Sequence, residues 1–541
     1  MSRILVLGGY GGFGGRISRR LSDAGHEVVV AGRSLAKAQA FCAGDPGLLP
    51  AKLDRSDIAA GLALHRPALV VDASGPFQSM DYSVPRAAIA AGVHYCDIAD
   101  GSAFVTGITD LDHAARAAGV VVLSGASSVP ALSGAVAREL AAGLDTVTAV
   151  KLAISASNQA TAGGSVAAAI IGQVGQPFRL WRGRRRETVH GWQEMERADF
   201  ALPGRDPLIG RRVALVDVPD VHLLSDRLPG RPSVVFRAGG ELGFQNVALW
   251  LLSWPVRCRW LKGLSGLARW LRPLQGLTRR MGSDRSGMIV RMFGRARGER
   301  VERRWTLIAE NGDGPEIPTL AIAPIAARIL AGLETAGARD AGEALSLTDF
   351  TAAFDNLAVH HWREEFALLP SLYARVMGGR FDRLPSAVRS MHDVISDGGA
   401  EGEVEVAGPT NVVGGLIARV VDFPRAGRYP LHVTFAESEQ TERWTRWFGT
   451  TRFTSELSEA DGHLVERFGP ARFQFDLPGD EAGLAMVMRR WSLFGIPLPL
   501  ALAPRSLARE WEEDGAFHFD VPITLPLVGR VVHYRGVLRL V

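Results

Sequence analysis

The chain has 541 residues, 47% hydrophobic and 22% charged, which excludes wholesale disorder and leaves room for roughly three to five domains. Its formal charge of +4 is too small for this length to point to nucleic acid. Cys42, Cys96 and Cys258 are dispersed and form no CxxC pair or Cys/His cluster, so no metal site is expected. The basic residues are nearly all arginine, and Lys37, Lys52, Lys151 and Lys262 are the only lysines. The N-terminus lacks the pattern of a secretory signal, and no uninterrupted apolar run approaches the ~18 residues of a membrane span. The cytoplasm is the expected location.

Residues 1–125 alternate short apolar runs with Ala-rich helical patterns. The runs 4–7, 28–31, 69–72 and 120–123 read as strands buried on both faces, and 13–24 and 85–91 as helices between them. This order predicts an α/β domain with a doubly wound parallel sheet over residues 1–130. Residues 131–350 read as a second α/β (or α+β) domain, with strands at 147–155 and 303–309 and a helix within 315–333 directed back towards the first domain.

Inside the second domain, residues 245–282 interleave Trp250, Trp254, Trp260 and Trp270 with Arg257, Arg259, Lys262, Arg269, Arg272, Arg279 and Arg280, and contain no acid. Two readings stay open. One is an amphipathic surface that meets anionic lipid at the inner membrane face or covers a hydrophobic substrate tunnel; the other is a buried or dimer-forming helix pair. Residues 362–400 hold two short helical patterns. From about 402 the sequence alternates apolar and polar residues at period two, broken by turn signals, so 362–541 is predicted to be a mostly antiparallel β domain.

The segment Gly8-Gly9-Tyr10-Gly11-Gly12-Phe13-Gly14 lies between the first strand and the first helix. Gly9, Gly11 and Gly14 fit G-x-G-x-x-G: the first for a tight turn, the second for approach of a pyrophosphate, the third for close packing of helix on strand. The helix N-terminus offers free N–H groups to the phosphates. The second strand ends Gly32-Arg33-Ser34, where an NAD site places an acid on the ribose hydroxyl. Arg33 can pair with a 2′-phosphate, Ser34 can hydrogen-bond it, and Lys37 adds charge one turn later, so the expected cofactor is NADP. Asp54 reads equally as a contact to the adenine amino group or as a helix cap. Ser74, Gly75, Pro76 and Phe77 follow the fourth strand, where the backbone can pass close to the cofactor.

ILVLGGYGGFG at 4–14 and GPFQSMDYSVPRAAIAAGVHYCDIADG at 75–101 resemble the saccharopine dehydrogenase-like (saccharopine reductase-type) proteins. The resemblance spans about residues 1–345 and is strongest over the first 135. It implies a Rossmann-type NADP-binding domain and an oxidoreductase. Asp100-Gly101 stands where that family usually has Gly-Glu, and Ser127 where it usually has Asp. The C-terminal segment, about 366–541, resembles an uncharacterised domain often fused to such proteins, with no function attached.

The Tyr-x-x-x-Lys pair of short-chain dehydrogenases is absent, since Tyr82 is followed by Arg86. The catalytic candidates are His94, Tyr95 and Asp97, on the strand expected near the nicotinamide; structural roles are the alternative. Cys96 reads as a packing residue. Thr161–Ser165 reads as a helix cap or as N–H donors to an anionic substrate. Glu510, Glu512 and Glu513 read as a solvated face, and His533 and Tyr534 as packing. Two functions are carried forward. The first is an NADP-dependent oxidoreductase acting on a small, hydrophobic or lipid-like substrate between the first two domains. The second is a non-catalytic NADP-binding protein whose β domain holds an apolar ligand.

Overall fold

The computed structural model describes residues 2–159, 164–264, 278, 281–438 and 440–541. The first sheet has seven strands in the order Gly337–Asp340, Val121–Ser124, His94–Asp97, Leu69–Asp72, Arg3–Leu7, Glu27–Gly32 and Leu48–Lys52. All neighbours are parallel. Its strands are continuous apolar runs because both faces are covered. Ile4, Val6, Val28 and Val30 enter one core, and Leu5, Leu7, Val29 and Ala31 the other. The strand order reverses between Arg3–Leu7 and Leu69–Asp72, which opens a crevice at their C-terminal ends. The strand Gly337–Asp340 pairs with Val121–Ser124, so the first domain is completed by a segment far beyond residue 130.

The second sheet is mixed. Its order is Glu196–Phe200, Leu208–Leu215, Ser233–Gly240, Thr146–Ala156, Ser286–Ala296, Glu299–Ala309 and Val359–Ala367. One face shares a core with the first domain through Val147, Val150, Leu152 and helix Ser133–Ala141. Helix Ile322–Leu330 buries Ile322, Ile325 and Ile329 in the same core, as its predicted direction requires. Glu316, just before it, pairs with Arg16 and Arg20 of the first helix, each at 2.6 Å. The edge strand Val359–Ala367 pairs along its length with Glu299–Ala309. The boundary therefore lies after Ala367 and not at 362. The run WREEFA carries little apolar alternation because an edge strand leaves most of its side chains in solvent.

The third domain is a closed antiparallel barrel of ten strands. They are Asp397–Ala407, Gly427–Glu437, Thr441–Phe448, Thr451–Ala460, His463–Phe468, Ala471–Asp476, Gly483–Leu493, Leu507–Glu513, Ala516–Leu525 and Gly529–Leu540. Each pairs with the next, and the last pairs with the first. Closure pairs the edges that an open sheet would expose. Val404, Phe435, Trp444, Phe448, Phe453 and Tyr534 fill the inside, joined by Tyr373 and Met391 from helices Leu372–Met377 and Ser386–Met391. These side chains form the hydrophobic core of the barrel.

Glu510 corrects the solvated-face reading of its strand. It is buried, with Oε2 2.6 Å from Nε2 of the fully buried His392, whose ring stacks on Tyr373 at 3.7 Å. Glu512 accepts from the Ala387 N–H at 2.7 Å and caps a helix. Tyr534 is packed, as expected, and His533 contacts Asp520 at 2.5 Å. The barrel is fastened to the second sheet by Arg300, which donates to Asp393 at 2.8 Å and to Glu437 at 2.7 Å.

Candidate cofactor site and interdomain cleft

Gly8 follows the first strand and takes φ 71°; a Cβ there would lie 2.9 Å from the Ala73 carbonyl oxygen. The left-handed turn is therefore at Gly8 and not at Gly9. Gly9 is needed for space, since its Cβ would meet the Val6 carbonyl oxygen at 2.8 Å. Gly11 precedes helix Gly12–Asp23, whose first amides, from Gly12, Phe13 and Gly14, lack intrahelical acceptors. A Cβ at Gly14 would stand 2.1 Å from the Gly8 carbonyl oxygen. The turn and helix end thus form a bare backbone cradle, with the chain at Ala73 and Ser74 as its opposite wall.

Tyr10 leans from this turn onto the end of the second strand. Its hydroxyl accepts the Ser34 N–H at 3.0 Å, and a Cβ at Gly32 would meet its ring at 2.5 Å. The Ser34 hydroxyl accepts the Lys37 N–H at 3.4 Å, capping helix Leu35–Cys42. Arg33 and Lys37 are exposed and make no ion pair among the described residues. Arg33 and Lys52 line a hollow of about 330 Å³. Asp54 lies on the same hollow and caps the short helix Arg55–Asp57, accepting the Ser56 N–H at 3.2 Å. The cradle and the uncommitted cations beside it fit a dinucleotide that carries an extra phosphate.

Asp72 ends the fourth strand, fully buried and ion-paired with Arg55. Arg55 also donates to the Ser74 hydroxyl at 2.9 Å, and the Ser74 N–H donates to Asp72 at 3.0 Å. The sequence reading missed Arg55, which lies in a polar segment with no motif. Gly75 and Pro76 continue this wall, whereas Phe77 turns into the core, its ring 5.2 Å from Phe104.

The three catalytic candidates do not converge. His94 is level with Leu69 and Ile4, at the start of its strand, about 10 Å from the crevice end at 3.3 Å per residue. Its Nδ1 accepts the Val121 N–H at 3.0 Å, a bond that ties two strands. His94 is therefore structural. Tyr95 is buried in the core on the other sheet face. Asp97 is level with Asp72 at the crevice end, but it is fully buried. Its Oδ1 accepts from Ala99 N–H (2.9 Å), Gly125 N–H (2.8 Å) and Ser124 Oγ (3.0 Å). Burial raises its pKa to about 7 against those bonds. It clips the loops at two strand ends together. Burial also pushes the Cys96 thiol well up, as befits a packing residue.

A polar chain that the sequence did not reveal joins the first two domains just beyond Asp97. Ser102 donates to Asp217 Oδ1 at 2.7 Å, and His222 Nε2 lies 3.1 Å from the same oxygen. The Asp217 N–H donates to Gln173 Oε1 at 3.0 Å, and Gln173 returns a bond to the Asp217 carbonyl at 3.1 Å. The His222 side chain is 37% exposed, so its ring is reachable by solvent. Ser102 and Asp217 are 115 residues apart, and no local pattern links them.

Helix Gly243–Arg257 packs Val256 and Leu249 against Ile171 and Val174. It leaves Phe244, Leu251 and Trp254 exposed, with Trp260 just beyond its end. Arg257 lies 4.8 Å over the Trp254 ring. Trp270, Arg269, Arg272, Arg279 and Arg280 lie outside the described residues, as does most of Thr161–Ser165. Among the described residues no helix is long and apolar enough to cross a membrane.

Residues 4–123 match the family model of the saccharopine dehydrogenase NADP binding domain, and residues 384–538 that of a domain of unknown function, DUF4166. No curated protein matches the sequence significantly. Among solved structures, the chain is similar to saccharopine dehydrogenase (L-Glu forming) from Saccharomyces cerevisiae, at 14% identity and TM-score 0.46, over 68% of this chain and 100% of that one. UDP-glucose-4-epimerase from Stenotrophomonas maltophila aligns at 21% identity and TM-score 0.16, over 18% of this chain and 36% of its own. Sorbitol-6-phosphate 2-dehydrogenase from Erwinia amylovora aligns at 18% identity and TM-score 0.19, over 22% and 69%. The family models thus place an NADP-binding domain of the saccharopine dehydrogenase type at residues 4–123 and a DUF4166 domain at 384–538 of one chain.

Proposed function

We propose that the protein reduces or oxidises a small, hydrophobic substrate in the cleft between its first two domains, with His222 handling the substrate proton. The observation that carries this reading is the Ser102–Asp217–His222 chain, which ties the helix after the Asp97 strand to the second domain. The NADP domain supplies the phosphate cradle at Gly8–Gly14 and the 2′-phosphate cations Arg33 and Lys37, with Lys52 beside them. A dinucleotide held there would supply the hydride chemistry, NADPH as donor or NADP+ as acceptor. Asp217, pinned by Gln173 and Ser102, orients the His222 ring through Nε2. That leaves Nδ1 to give a proton to, or take one from, a carbonyl or imine in the cleft. Asp97 holds the loops at two neighbouring strand ends together.

A hydrophobic substrate is supported by the neighbouring helix. Gly243–Arg257 packs on the helix that ends at Gln173, the residue holding Asp217, and its outer row of Phe244, Leu251 and Trp254 faces solvent. The same row supports peripheral contact with anionic lipid, from which such a substrate would be drawn.

The test is NADPH oxidation across carbonyl, imine and enoyl substrates. His222→Gln should lower kcat by ~10²–10⁴-fold with NADPH affinity unchanged. Tight NADPH binding without turnover of any class would favour the non-catalytic alternative.

A further inference from the structure

A second hollow, of about 530 Å³, lies far from the cofactor cradle, at the seam between the second sheet and the outside of the barrel. Its floor is the polar face of the sheet. Lys151 rises from the strand Thr146–Ala156, and Arg237 from its parallel neighbour Ser233–Gly240. Its opposite wall is the outer face of three barrel strands, where Thr434, Arg443, Thr445, Trp447, Arg452 and Thr454 alternate outward. A hairpin, Pro177–Arg182 with Arg185–His190, is wedged between the two. Its turn is held from both sides. Gly183 N–H donates to Asp397 at 2.6 Å, and the Gly183 carbonyl lies 2.8 Å from His432 Nε2.

The seam is lined by six basic side chains and five carboxylates, those of Glu187, Glu194, Glu196, Asp397 and Glu437, and its bases fall into two groups. Arg182 is paired with Glu194 at 2.8 Å, and Arg237 with Glu196 at 3.2 Å. Lys151, Arg185, Arg443 and Arg452 make no ion pair among the described residues. Lys151 is one of the four lysines in the chain. It stands in the middle of a sheet, its ammonium 4.8 Å over the Phe293 ring, and burial lowers its pKa. The carboxylates of Asp397 and Glu196, on the same hollow, favour its charge without pairing with it directly. Arg185 and Arg452 flank the Trp447 ring, at 4.2 Å and 4.8 Å from its centroid. Stacking restrains both guanidinium groups in advance, so less entropy is lost when they close on a ligand. The hydroxyls of Thr445 and Thr454, 3.0 Å apart on the same wall, add neutral donors.

We propose that this seam is a binding site for a compact, multiply charged oxyanion, a phosphorylated or polycarboxylate small molecule, held by Lys151, Arg185, Arg443 and Arg452. The second domain, its hairpin and the barrel each supply part of the cation set. Binding there would join the barrel to the oxidoreductase body, which gives the C-terminal domain a sensing role independent of the cleft chemistry.

The test uses the full chain saturated with NADP, so that the first-domain phosphate cradle is already filled. Inorganic pyrophosphate and citrate are titrated separately by calorimetry, which distinguishes phosphate from carboxylate recognition. The expected result is saturable binding of at least one anion, weakened about tenfold or more by Lys151→Met and by Arg452→Ser. Arg452 occupies an exposed barrel position, so its variant decides the question where Lys151→Met fails to fold. Absence of saturable binding for both anions, or unchanged affinity in folded Arg452→Ser, overturns the proposal.

Discussion

Reversing the charge at Arg33 tests the basis of cofactor choice. Arg33 is exposed at the end of the second strand, makes no ion pair among the described residues and shares its hollow with Lys52 and the capping Asp54. Two unit charges at 4 Å and an effective dielectric of 20 interact by about 4 kcal/mol. Exposure and salt reduce a contact at such a surface to roughly 1–2 kcal/mol. Arg33→Glu removes one attraction and adds a repulsion of similar size, so NADPH binding should weaken by about 2–4 kcal/mol, or ~30- to 10³-fold in Kd. Lys37 and Lys52 remain and set the lower end. NADH lacks the 2′-phosphate, so its affinity should hold or rise. Fluorescence titration of both dinucleotides against wild type and variant reads the ratio directly. An unchanged NADPH-to-NADH ratio would refute the assignment of Arg33 to the phosphate.

Three further outcomes follow from the geometry. Gly14→Ala should abolish measurable NADPH binding and lower Tm, since its Cβ would sit 2.1 Å from the Gly8 carbonyl oxygen and the turn must open. In the barrel, burial raises the Glu442 carboxyl to about 8. Its folded pKa exceeds the unfolded value of about 4.3, so the folded state binds the extra proton. Stability from this group is complete below pH ~4 and is lost as pH rises through 8, at up to ~1.4 kcal/mol per pH unit. Denaturant titrations from pH 5 to 9 should show Glu442→Gln losing less stability than wild type, and parallel curves would contradict this. Finally, paired Trp254→Ser and Trp260→Ser substitutions should reduce co-sedimentation with phosphatidylglycerol vesicles, while equal pelleting would locate lipid contact elsewhere.

The NADP domain was legible because its determinants are local. A turn that needs glycine, a helix end and the residue closing the second strand lie within one βαβ unit, and Gly14 and Arg33 act through backbone space and charge that no distant partner must supply. Period-two alternation likewise marked many of the strands of the third domain. It could not mark closure, because closure depends on which strands meet, and it left Glu510 looking solvated although His392 from another element buries it. The same limit applied to chemistry. His94, Tyr95 and Asp97 are adjacent in sequence, but a strand sends neighbours to opposite faces and different ends of the sheet. The cleft chain joins Ser102 to Asp217 and His222, and the seam joins Lys151 to Arg452, across separations that periodicity does not encode. By itself the sequence therefore determined the cofactor and the class of each domain, which follow from short-range backbone geometry and apolar patterning. Only the tertiary structure decided domain membership and brought together the Ser102–Asp217–His222 chain and the lining of the seam, because burial and charge pairing depend on elements brought together by folding.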